Sequence, residues 1–210
     1  MNMSVRQKFL RFVYPLLMDW VRITGRHAKR IGNIKNTQPL ISFYELKAIA
    51  NDGSVIDFSV FKGKMVLLVN TASDCGYTGQ YAQLEELYRK NRDKLVVIGF
   101  PANDFKKQEK GTDEEIGAFC KTNYGISFPL SKKTVVVKKP GQHPVFQWLT
   151  YADRNGWLDK APDWNFAKYL VTAEGVLDSY FGPGISPLDE VVLKAIKSPM
   201  LAEPGAQDTP

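Results

Sequence analysis

The chain has 210 residues, enough to bury one substantial core, so one domain with extensions is expected. A composition of 44% hydrophobic and 24% charged residues excludes a wholly disordered chain and a multi-span membrane protein. The net charge of +6 is local: residues 1–38 hold eight Lys/Arg and one acid, Asp19, whereas the other 172 residues hold 20 basic and 21 acidic side chains, which argues against a nucleic-acid partner for the body.

In chain order, residues 5–23 mix Phe, Leu, Val and Trp with Arg6, Lys8, Arg11, Asp19 and Arg22, too polar to span a bilayer and lacking a signal-peptide pattern. A basic amphipathic helix on an anionic membrane surface is the expectation, against a helix packed on the body; Pro15 argues against one straight helix in either case. Residues 24–38, with Gly25 and Gly32, read as a linker, so residues 1–38 form an extension and residues 39–197 the body. Two short strands flank the Asn51-Asp52-Gly53 turn. The continuous apolar runs 65–72 and 95–100 are those of strands buried on both faces.

The first run leads into a helix with Tyr81, Leu84, Leu87 and Tyr88 on one face, which Thr78 is placed to cap. Thr112 and Glu115 form a capping box for a helix that turns Ile116, Phe119 and Cys120 inward. A helix near 143–151, strands 168–172 and 176–181 around Glu174-Gly175, and a helix starting at Ser186-Pro187 follow. Residues 198–210 read as a disordered tail. The order is that of an α/β sandwich.

Cys75 and Cys120 are the only cysteines, too few for a disulfide framework. With His27 and His143 they offer no metal-ligand spacing, and no cofactor is expected. Scarce cysteines suit a reducing, cytoplasmic compartment, where a thiol is either core or chemistry. Cys75 lies between a buried strand and a helix, where first-turn N–H groups and the helix dipole favour a thiolate. Flanking Ser73, Asp74 and Gly76 mark a loop rather than a packed element. Neighbouring strand ends in an open sheet share a crevice, which brings Asn103 and Gln108 within reach of Cys75. Trp164 and Asn165 add uncharged donors that favour a thiolate. Taken singly, Gln108 reads as surface and Trp164 as core. A Cys–His hydrolase using His143 is disfavoured, since nothing places that histidine at the site.

Taken together and in order, VNTASDCGYTGQYAQLEELY, GFPANDFKKQEKGTDEEIGAFC, YGISFPL and WNFAKYLV resemble the glutathione peroxidase family over roughly residues 41–197. The resemblance implies a thioredoxin-like fold, a central mixed β-sheet flanked by helices, here with an N-terminal helical extension. It implies Cys75 as the peroxidatic residue with Gln108, Trp164 and Asn165 around its sulfur. Cys120 stands where thioredoxin-dependent relatives carry the resolving cysteine, so thioredoxin is expected as reductant ahead of glutathione. Ala102, Asp104 and Lys110 depart from the family pattern without touching those four positions, and the short segment before Trp164 implies a monomer or weak dimer. The expected function is reduction of hydrogen peroxide and organic or lipid hydroperoxides in response to oxidative stress. The alternative is a peroxide sensor that passes a disulfide to a client protein.

Overall fold

The computed structural model describes residues 3–25 and 28–197. In chain order the elements are α1 (Val5–Thr24), β1 (Arg30–Gly32), β2 (Lys47–Ile49), β3 (Val55–Asp57), β4 (Met65–Thr71), α2 (Gln80–Lys90), β5 (Leu95–Pro101), α3 (Asp113–Tyr124), α4 (Pro144–Thr150), α5 (Ala152–Asn155), β6 (Lys168–Val171), β7 (Leu177–Phe181) and α6 (Glu190–Lys197). Five strands form one sheet in the order β1-β7-β6-β4-β5. Only β4 and β5 are parallel; β4–β6, β6–β7 and β1–β7 are antiparallel, so the sheet is mixed.

Every residue of β4 and β5 is buried, because both faces of the sheet are covered. The two-residue period of a strand divides them: Leu67, Val69, Leu95 and Val97 enter a core shared with α2, α3 and α6. Val66, Leu68, Val96, Ile98 and Phe100 enter the opposite core with α4. The expected core face of α2 is present in Tyr81, Leu84 and Leu87. The capping box on α3 is present as well: Thr112 Oγ1 accepts from Glu115 N and Glu115 Oε2 from Thr112 N.

Three local expectations are corrected. The segment 24–38 is not only a linker: Arg30–Gly32 pairs with Ser179–Phe181 as an edge strand, a pairing too short for a three-residue run to announce. The last helix begins at Glu190 rather than at Ser186-Pro187, because Ser186 is used in a turn whose Oγ accepts from Leu188 N, and Asp189 Oδ1 accepts from Val191 N instead. Pro15 does not divide α1, which is one continuous helical segment closed by a Ser4–Gln7 capping box at one end and left-handed Gly25 at the other. A proline inside a helix costs about 3 kcal/mol. The inner face of α1 offsets that cost: Tyr14 and Val21 are buried, and Leu17 and Met18 pack on the core beneath them. The expected tail at 198–210, and His27, lie outside the described residues. Among the described residues no helix is long and apolar enough to cross a membrane.

Candidate active site

Cys75 lies four residues past the end of β4, at the start of a run of turns. Thr78 N bonds Cys75 O, Gln80 N bonds Tyr77 O and Tyr81 N bonds Thr78 O, so α2 proper starts only at Gln80. Thr78 therefore does not cap α2. Its hydroxyl accepts from Cys75 N at 3.0 Å and lies 2.9 Å from Ala72 O, which fixes the backbone at the cysteine itself. The N–H aimed at sulfur is that of Tyr77, 3.4 Å from Sγ.

Two further segments close on this turn. Asn165 Nδ2 donates to Gln108 Oε1 at 2.9 Å, and the side chains of Asn165 and Trp164 are near enough to the Cys75 sulfur to lower its pKa. Cys75, Gln108, Trp164 and Asn165 are thus brought together from three separate segments of the chain. The indole of Trp164 is held by Phe105 at 5.6 Å between ring centroids and by Lys106 Nζ, 5.5 Å from its ring. Lys106 and Lys107 both adopt left-handed backbone, φ 50° and 53°, in the turn that delivers Gln108. Asn103 does not face the sulfur; its Oδ1 accepts from Glu109 N and shapes the loop. His143 is not at the site either: it heads α4 and meets Phe100 of the other core edge-on, 5.7 Å between ring centroids.

Burial pushes the Cys75 thiol above its ordinary pKa. The Tyr77 N–H, then Asn165 and Trp164, pull it down, and neighbouring Asp74 pushes it up. The expectation that first-turn N–H groups and the helix dipole lower this pKa is corrected in its net direction. One N–H, that of Tyr77, does reach the sulfur, but Cys75 is fully covered, α2 begins five residues further on, and burial outweighs it. Cys120 sits on α3 in the same core, equally covered, and both cysteines are free thiols. Burial raises its thiol to about 12, with a Tyr81 hydrogen bond lowering it and Glu109 raising it. It lies one turn from the end of α3, where left-handed Gly125 caps the helix and Gly125 N bonds Lys121 O.

Two residues at this site are not among those singled out from the sequence. Asn70, on β4, clamps the Trp164 segment: Nδ2 donates to Trp164 O, Oδ1 accepts from Ala167 N, and its carbonyl accepts from Phe166 N. Inside an apolar strand, that asparagine is the one signal that something outside the ladder needs its amide. Glu109 is 1% exposed and accepts from Ser73 Oγ at 3.0 Å. Burial raises its carboxyl to about 7, while Ser73 and Lys133 lower it and Asp74 raises it. A glutamate among lysines in a loop reads as solvated, so sequence offered no signal for it.

The N-terminal helix completes the surroundings. Arg6 pairs with Asp74 at 2.7 Å and Gln7 Nε2 donates to Ser73 O at 3.1 Å. A Cβ on Gly79 would lie 2.5 Å from the Tyr14 ring, so α1 approaches the Cys75 turn as closely as a glycine allows. Ser4 and Gln7 line a crevice of about 200 Å³ with Ser73, Gln108, Glu109 and Phe119.

A family model described as glutathione peroxidase matches residues 43–150. The glutathione peroxidase-like peroxiredoxin gpx1 of Schizosaccharomyces pombe is 45% identical over 140 residues, covering 66% of this chain and 87% of that protein. The glutathione peroxidase-like peroxiredoxin 2 of Saccharomyces cerevisiae is 44% identical over 148 residues, covering 70% and 90%. The crystal structure of T. cruzi GPX1 superposes with a TM-score of 0.55 at 31% identity, over 74% of this chain and 97% of that one. The expected thioredoxin-like fold is the one present. With its mixed sheet and its cysteine beyond the strand end, the chain belongs to the glutathione peroxidase family.

Proposed function

We propose that this peroxidase works through Cys75 and Cys120 in sequence, with thioredoxin as the reductant. The thiolate of Cys75 attacks the outer oxygen of a hydroperoxide, the O–O bond breaks, the alcohol leaves with one proton, and Cys75 becomes a sulfenic acid. The Cys120 thiol then displaces that hydroxyl as water and forms a Cys75–Cys120 disulfide. An external dithiol takes the disulfide over by exchange and returns both thiols. In this reading Asn165 and Trp164 supply the donors that favour the thiolate, and Gln108 orients Asn165 by accepting from its amide. The observation that carries this reading is the convergence of these three side chains on Cys75, with a second thiol in the same core.

Cys120 is fully buried on a helix, and a disulfide needs Cα atoms within about 7 Å, so in this cycle the last turn of α3 opens to present the thiol. The Gly125 cap puts a helix end one turn away, where unwinding disturbs least. The burial of both thiols also favours the second reading, a peroxide sensor that oxidises once and passes its disulfide to a client slowly. A coupled assay separates the two: thioredoxin, more than glutathione, should sustain many turnovers of the wild type and none of Cys75→Ser. Failure of thioredoxin to support turnover, with oxidation intact, would favour the sensor.

A further inference from the structure

Helix α1 has two apolar faces, and the body covers only one. Val5, Phe9, Phe12, Leu16, Trp20 and Ile23 are all exposed, from 46% to 85%. Their spacings of four, three, four, four and three residues place them in one stripe along the helix, opposite Tyr14 and Val21. Six large apolar side chains in a line, three of them aromatic, are not the scattered singles of an ordinary surface. The stripe lies on the segment that carries the chain's whole positive excess, with Lys8 and Arg11 exposed on the same helix.

Charge decides what covers the stripe. A second copy meeting stripe to stripe would set one 1–38 segment, eight basic residues and one acid, against another of the same sign. Residues 198–210 offer only Met200 and Leu201 as large apolar side chains, with Glu203 and Asp208 beside them, too little to cover six. An anionic lipid surface satisfies both features at once: acyl chains take the stripe, headgroups take exposed lysines such as Lys8, and Trp20 suits the boundary.

We propose that the outer face of α1 is a docking surface for an anionic lipid bilayer. The docked helix stays on the body, because Tyr14, Leu17, Met18 and Val21 face inward. Ser4 lines the crevice beside Gln108 and Val5 begins the stripe, so the crevice opens about one helix diameter, roughly 10 Å, from the lipid contact.

The test is co-sedimentation of the full chain with vesicles of phosphatidylcholine alone or mixed with phosphatidylglycerol, at low and high salt. The wild type should pellet with the mixed vesicles only, and the bound fraction should fall steeply with salt. The double variant Phe9→Ser/Phe12→Ser should bind more than about tenfold more weakly. Both side chains are exposed, so its circular dichroism and its turnover of hydrogen peroxide should match the wild type, which separates this result from any failure of the peroxidase reading. Wild type that stays in the supernatant overturns the proposal, as does equal binding by the double variant. A dimer in sedimentation equilibrium that the double variant dissociates also overturns it, in favour of a second copy.

Discussion

Replacing Glu109 by glutamine should remove a loss of stability that the wild type suffers as pH rises through neutrality. Burial lifts this carboxyl from 4.5 to about 7. Below about pH 4.5 the folded and unfolded chains both hold the proton, and the shift has no consequence. As pH rises, the unfolded chain releases it first and the folded state keeps it at a growing disadvantage. The deficit is complete above about pH 7, at about 3 kcal/mol. The amide oxygen of the Glu109→Gln variant would still accept from Ser73 Oγ, but the side chain would carry no charge to bury. Urea unfolding of both proteins between about pH 5 and pH 8 checks this, since every other titrating group, His143 included, cancels in the difference. The variant should gain on the wild type steadily across that window. A constant difference between the two curves would refute the placement of a buried titrating carboxyl beside Ser73.

Three other substitutions test separate parts of the molecule. Asn165→Ala removes a donor to the Cys75 sulfur and the partner of Gln108; the rate constant for peroxide should drop on the order of a hundred-fold, with the pH profile of thiol alkylation shifted to higher pH. Gly79→Ala drives a Cβ into the Tyr14 ring and should cost about 1–3 kcal/mol, with α1 losing amide protection before the sheet does. Cys120→Ser should react once with peroxide, measured as one equivalent consumed, and then fail to turn over with thioredoxin; undiminished turnover would remove the resolving role.

The parts of this molecule legible in its sequence are those where one local rule dominates. The buried strands β4 and β5 show as unbroken apolar runs, and the Thr112–Glu115 cap shows as two residues at a fixed offset. The ordered motifs gave the family and four positions that the fold does bring together, although spacing alone left Gln108 a surface residue and Trp164 a core one. What escaped depends on tertiary contact. Thr78 has the chemistry of a cap but directs it to Cys75 N and Ala72 O. Arg30–Gly32 is a strand only because β7 offers it an edge. Glu109 titrates near neutrality only because α1 and the 108–119 segment close over it. The burial that raises Cys75 likewise comes from the packing of residues distant in the chain.

The most direct measurement of the two-cysteine cycle is mass mapping under non-reducing conditions after one equivalent of hydrogen peroxide. The expected product is a Cys75 peptide linked to a Cys120 peptide of the same chain, reversed by reduced thioredoxin. A free Cys120 alongside a Cys75 sulfenic acid, trapped with a sulfenic-acid reagent, would contradict it.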